Sequence, residues 1–168
     1  VTPFFSFISQ LVERATAELE EERQRIEEEK PTLIIGSPMC TPFSNIQNLN
    51  KERRDPTVIK NEIDRARIHL AWCCRLYRKQ VQRGAYFLHE HPAAATSWKN
   101  EKVKELLNMK GVEKVIGHMC AFGMVQEDEQ GEGLIKKPTA FMGNCGRVLK
   151  RLEKRCNGQH GHILLMLS

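Results

Sequence analysis

Between Thr57 and Arg83 the apolar residues Ile59, Ile63, Ala66, Leu70, Cys73, Tyr77 and Val81 recur at spacings of 4, 3, 4, 3, 4 and 4. That period lines one face of a long α-helix. Thr57 reads as its N-cap, with Lys60 where a capping box would place Glu, and Gly84 as the stop. Cys73 and Cys74 fall on or beside the apolar face and are expected in the core. Two short apolar runs flank the helix, "TLIIG" at 32–36 and "AYFLHEHP" at 85–92, the second closed by Pro92. A strand, a long helix and a second strand make a crossover unit, which pairs its strands in parallel.

The rest of the chain repeats the alternation. Residues 97–110 read as an amphipathic helix with Ser97 as N-cap and Gly111 as stop, and "VEKVIGHMCAFGM" as a strand entering a loop. "QEDEQGEG" reads as an acidic surface loop, and "KKPTAFMGN" as a fourth strand. A helix from Gly146 to Cys156 and an apolar tail, read as a last strand, complete it. The expected fold is therefore α/β, a mostly parallel sheet with helices on both faces. Residues 1–31 form a separate acidic element, a helix over 9–30 ended by Pro31; residues 32–168 form the α/β core.

Charge follows the same division. Residues 1–30 carry eight acidic and four basic side chains, whereas residues 31–168 carry 13 acidic and 22 basic, a balance of +9. A basic body is compatible with a nucleic-acid partner. No apolar run reaches the roughly 18 residues of a membrane span, so no membrane is expected. The six cysteines show no short-spaced disulfide pattern. A reduced, intracellular setting (nucleus or cytoplasm) is the expectation.

Two constellations carry chemistry. The loop "GSPMCTPFS" at 36–44 leaves the first strand and holds Cys40 between prolines that stiffen the backbone. Glu90 closes the second strand between His89 and His91, and such a polar run reads as a site rather than as core. If the two strands are neighbours, Cys40 and Glu90 open onto one sheet edge. Cys40 alone reads equally as a half-buried turn residue, or as a thiol nucleophile served by His89 or His91. The second constellation is "CNGQHGH" at 156–162, which reads either as a helix C-terminus capped by Asn157-Gly158 and followed by a polar turn, or as a metal site: Cys156, His160 and His162 supply sulfur and imidazole ligands suited to zinc, with Cys120 or Cys145 as a further ligand.

The first constellation resembles the cytosine carbon-5 methyltransferases. Gly36, Pro38, Cys40, Phe43 and Ser44 match that family's G-G-P-P-C-Q-x-F-S loop, Glu90 its E-N-V glutamate, and "CAFG" at 120–123 a later strand-to-loop segment. The same blocks, with "KKPT" at 136–139, are similar to segments of retroelement-type polyproteins. The resemblance implies a Rossmann-like methyltransferase core. Cys40 would be the nucleophile that adds to the cytosine ring, and Glu90 the acid at its edge. Ser37, Pro38, Phe43, Ser44 and His91 would lie beside a base flipped out of its stack, with Arg53 and Arg54 toward phosphates. Met39, His91 and Pro92 depart from the family's residues, and residues 1–31 hold no glycine-rich loop for S-adenosylmethionine. The resemblance thus implies a core truncated at its N-terminal cofactor half, S-adenosylmethionine entering only if a longer form completes the site. The expected role is a divergent or degenerate cytosine methyltransferase-like domain acting on or binding nucleic acid and inactive as this fragment, or alternatively a nonenzymatic basic nucleic-acid-binding or scaffold module with a Cys/His zinc site.

Overall fold

The structure, a computed structural model, describes residues 18–44, 54–128 and 131–163. The chain divides between Thr32 and Leu33 into two compact units. In the first, residues 18–29 are helical (α1), the described part of the acidic helix; its start lies outside the described residues. Its charges pair along the helix, Arg23 with Glu27 at 2.7 Å and Arg25 with Glu22 at 3.2 Å. Lys30 ends it at a φ of 47°, where the following Pro31 disfavours further helix.

The second unit is built on a four-stranded sheet of order β1-β2-β6-β3. Its strands are β1 (Leu33–Gly36), β2 (Tyr86–Pro92), β3 (Glu113–His118) and β6 (Pro138–Gly143). Between β1 and β2 runs the 27-residue α2 (Pro56–Gln82), and β1 and β2 pair in parallel as the crossover requires. Asp55, rather than Thr57, is the N-cap: its side chain accepts from Thr57 N at 2.7 Å, and Pro56 takes the first helical position. Gly84, at φ 73°, stops the helix as expected.

The sheet is not mostly parallel. β6 runs against both β2 and β3, so two of the three pairings are antiparallel. The segment read as an acidic loop is the cause. Its residues form a hairpin, β4 (Val125–Asp128) with β5 (Gly131–Leu134). With no crossover helix between β3 and β6, the returning strand enters reversed. β1, β2 and β3 still share one direction, and mixed sheets of this kind are common in α/β folds.

Two helices are shorter than their periodicity suggested. Residues 97–110 divide into a 3₁₀ turn at Thr96–Lys99 and α3 (Glu101–Leu107), capped by Asn100, which accepts from Lys102 N. Ser97 is instead buried and used elsewhere. The last helix, α4, spans Gly146–Leu152 and stops before Cys156. Of the expected final strand, only an isolated bridge from Ile163 to Ile135 is described; residues 164–168 lie outside the described residues.

The core lies between α2, α3 and the sheet: Leu70, Tyr77, Phe87, Val103, Leu106 and Met142 are each at most 1% exposed. Cys73 and Cys74 are buried there as expected, and burial pushes their thiols up to about 11 and about 12. All six cysteines are free thiols. Tyr77 packs so closely on β1 that a Cβ at Gly36 would stand 1.8 Å from its hydroxyl oxygen. Among the described residues no helix is long and apolar enough to cross a membrane.

Candidate functional site

The carboxyl ends of β1 and β2 sit side by side, with Gly36 registered to His89. From β1 the chain passes through Ser37 and Pro38 to Cys40, which is half-buried at the start of a 3₁₀ turn (Thr41–Phe43). Ser37 Oγ donates to Glu90 Oε2 at 2.5 Å, tying the loop to the strand-end acid. Cys40 and Glu90 therefore belong to the same end of adjacent parallel strands.

Strand alternation sends Glu90 to one face of β2 and His89 and His91 to the other. Both histidines are 0% exposed. The HEH run is thus half core, against the sequence expectation: a ring with hydrogen-bond partners can be buried where an isolated charge cannot. His91 Nε2 lies 2.8 Å from the Pro38 carbonyl and Nδ1 2.6 Å from Ser97 Oγ. Burial is the main cause holding its pKa below the ordinary histidine value. Because a carbonyl can only accept, Nε2 carries the proton of the neutral ring, and Ser97 Oγ donates to Nδ1. Neither nitrogen is left to serve a Cys40 thiol. His91 instead holds the Cys40 loop, and Phe43 packs against it with ring centroids 5.9 Å apart.

His89 lies deeper. Its Nδ1 is 3.2 Å from the Tyr77 hydroxyl, and its Nε2 has no hydrogen-bond partner among the described residues. Burial, and then the neighbouring His91, push its pKa down to about 3.

Beside the loop lies a cleft of about 310 Å³ whose lining includes Phe43, Ser44, Ile59, Ile63, Arg67 and Lys99. Arg54 is committed to Glu62, its Nη2 donating to Oε1 at 2.6 Å. Arg53, expected near phosphates, lies outside the described residues.

The second constellation gathers at the carboxyl end of β3, the same end of the sheet as the carboxyl ends of β1 and β2. A 3₁₀ turn (Met119–Phe122) follows β3 and buries Cys120. The chain returns from α4 alongside it: His118 N donates to Lys154 O at 2.8 Å, and Cys156 N donates to His118 Nδ1 at 3.0 Å. Beyond Cys156, Gly158 adopts a φ of 74°, and its N donates to Cys156 Sγ at 3.3 Å. That turn brings His160 and His162 back onto the sulfur. Their Nε2 atoms lie 3.5 and 3.4 Å from Cys156 Sγ. Ligand atoms of Cys120, Cys156, His160 and His162 all lie within 4.8 Å of one another, a group able to hold a metal ion.

Of the two cysteines considered as a further ligand, Cys120 joins this group and Cys145 does not. Cys145 sits at the N-terminal end of α4, where its carbonyl accepts from Val148 N and Leu149 N. Burial and the adjacent Cys156 thiol raise the Cys120 thiol above its ordinary value. A bound cation would reverse that tendency, since thiolate is the ligating form.

The fold and site together define a mixed α/β domain with a Cys/His group able to bind a metal. Comparison of the chain with protein families, with curated proteins and with solved structures finds no match.

Proposed function

We propose that residues 33–163 form a nucleic-acid-binding module whose C-terminal segment is held by a structural zinc ion. One observation carries the metal. Zinc bonds of about 2.3 Å to sulfur and about 2.0–2.1 Å to nitrogen, at tetrahedral angles, place sulfur and nitrogen about 3.5 Å apart. The distances from Cys156 Sγ to His160 and His162 Nε2 are 3.5 and 3.4 Å. Four protein ligands would fill a tetrahedral shell, the mark of a structural rather than a catalytic site. The Gly158 N–H that points at Cys156 Sγ would support the thiolate. Elemental analysis of the purified chain should give one zinc per chain. Cobalt substitution should give the intense visible bands of a tetrahedral thiolate site, and Cys120→Ser should abolish them. A metal-free protein with an unchanged melting temperature after zinc addition would overturn the reading.

A second reading concerns the strand-end site, and the Ser37–Glu90 and His91–Pro38 contacts favour it. They join the two strand ends that the methyltransferase resemblance pairs, with Glu90 fixed beside the loop that carries Cys40. In this reading the edge receives a nucleic-acid base. S-adenosylmethionine does not fit the described residues: β1 is the outer strand of its sheet, and no described strand before it carries a glycine-rich donor loop. Titration calorimetry should show no binding of S-adenosylmethionine, and micromolar binding would restore methyl transfer.

A further inference from the structure

We propose that α4 and the strand-like return around the Cys/His group form the face that contacts nucleic-acid phosphates. The inference rests on the nucleic-acid reading above and places its interface on α4 and the segment after it rather than on the Cys40 loop.

Residues 136–162 hold seven Lys or Arg and one acid, Glu153. Backbone pairing collects the cations around the metal group. The Lys154 carbonyl accepts from His118 N, the Lys137 carbonyl accepts from Met119 N beside Cys120, and Arg155 directly precedes Cys156. The Ile135–Ile163 bridge sets Lys136 next to the segment that carries His162. On α4, Arg147, Lys150 and Arg151 lie at spacings of three and four and share one exposed side, whereas Leu149 is 1% exposed. Like charges at such spacings weaken a helix, and no acid on α4 offsets them.

The contrast with α2 decides the location. Both segments are rich in cations, but three of the six on α2 are committed: Lys60 and Arg67 pair with Asp64, and Arg78 pairs with Glu105. Just before the helix, Arg54 pairs with Glu62. None of the seven cations at 136–162 makes an ion pair with a carboxylate among the described residues. Lys154 Nζ lies 4.8 Å over the Phe122 ring, placing a further cation on this face. A set of mostly exposed cations without carboxylate partners suits phosphodiesters, whose affinity is set by phosphate contacts.

The test uses the full chain, a fluorescein-labelled 20-nucleotide single strand, the matching duplex, and phosphatidylserine vesicles. Wild type should bind the oligonucleotides with an affinity that falls steeply with salt. Arg147→Gln/Lys150→Gln/Arg151→Gln should weaken binding at least about tenfold and lower the salt slope by about 2–3. Lys136→Gln/Arg155→Gln should act in the same direction. An α2 control, Arg65→Gln/Arg67→Gln/Arg75→Gln, should stay within about twofold of wild type. All substituted side chains are exposed, so thermal melting should be unchanged. Loss of binding in the α2 control with retention in both other variants would overturn this placement while leaving the nucleic-acid reading standing. Failure of the wild type to bind either oligonucleotide at low salt would overturn both, and capture by vesicles alone would assign the face to membranes.

Discussion

Acid should unfold this domain through His89, and the size of the effect follows from its burial. The ring is 0% exposed and has a folded pKa of about 3 against an ordinary value of 6.5. Because the folded value lies below the unfolded one, the contribution of the neutral ring is complete above pH 6.5. It is lost as the pH falls toward about 3, because only the unfolded chain takes up the proton in that window. The difference corresponds to about 5 kcal/mol over the full window, at about 1.4 kcal/mol per pH unit. By pH 4.5 His89 alone should remove on the order of 3 kcal/mol. His91, shifted in the same direction, adds to it. His89→Phe removes the titration and keeps a ring in the core, at the expense of the Tyr77 hydroxyl's partner. At pH 7.5 that variant should be about 1–3 kcal/mol less stable than wild type. Urea denaturation of both proteins from pH 7.5 to 4.5 should show the gap closing and then reversing. Carboxylates and any metal titrate alike in the two proteins and cancel in the difference. A gap constant to about 0.5 kcal/mol across the range would refute the buried, uncharged imidazole.

Other perturbations have equally direct readouts. His91→Ala leaves the Pro38 carbonyl and Ser97 hydroxyl without partners in a closed space and should cost about 3–5 kcal/mol by urea denaturation; Cys40 should then react faster with a thiol reagent as its loop loosens. Gly36→Ala forces a methyl group into the Tyr77 hydroxyl and should lower stability by more than about 2 kcal/mol, with Tyr77→Phe partly restoring it. Asn144→Ala removes the side chain that accepts from Phe87 N at 2.9 Å and donates to Ala85 O at 2.8 Å, and should cost about 2–3 kcal/mol, read as a lower melting temperature. Glu105→Gln should change stability by less than about 1 kcal/mol, because its pair with Arg78 is solvent-exposed.

The sequence by itself determined the parts whose logic is local. The period of α2, its stop at Gly84 and the parallel pairing of the strands it joins follow from residues within one segment. So does the approach of His160 and His162 to Cys156, since six residues with a glycine turn suffice to fold imidazoles back onto a sulfur. The seating of Cys40 and Glu90 at one sheet edge follows from a single crossover. Other features depended on contacts between distant segments. The acidic stretch at 125–134 pairs into a hairpin, reversing β6 and turning an expected parallel sheet into a mixed one. His89 and His91 enter the core because Tyr77, Ser97 and the Pro38 carbonyl, up to 53 residues away in sequence, supply their partners. Cys120 rather than Cys145 completes the Cys/His group because the chain after α4 runs beside the end of β3, while Cys145 stays at the start of α4. Composition could count the cations, but only tertiary structure decided which of them face carboxylates, because a charge is neutralised by what folds next to it.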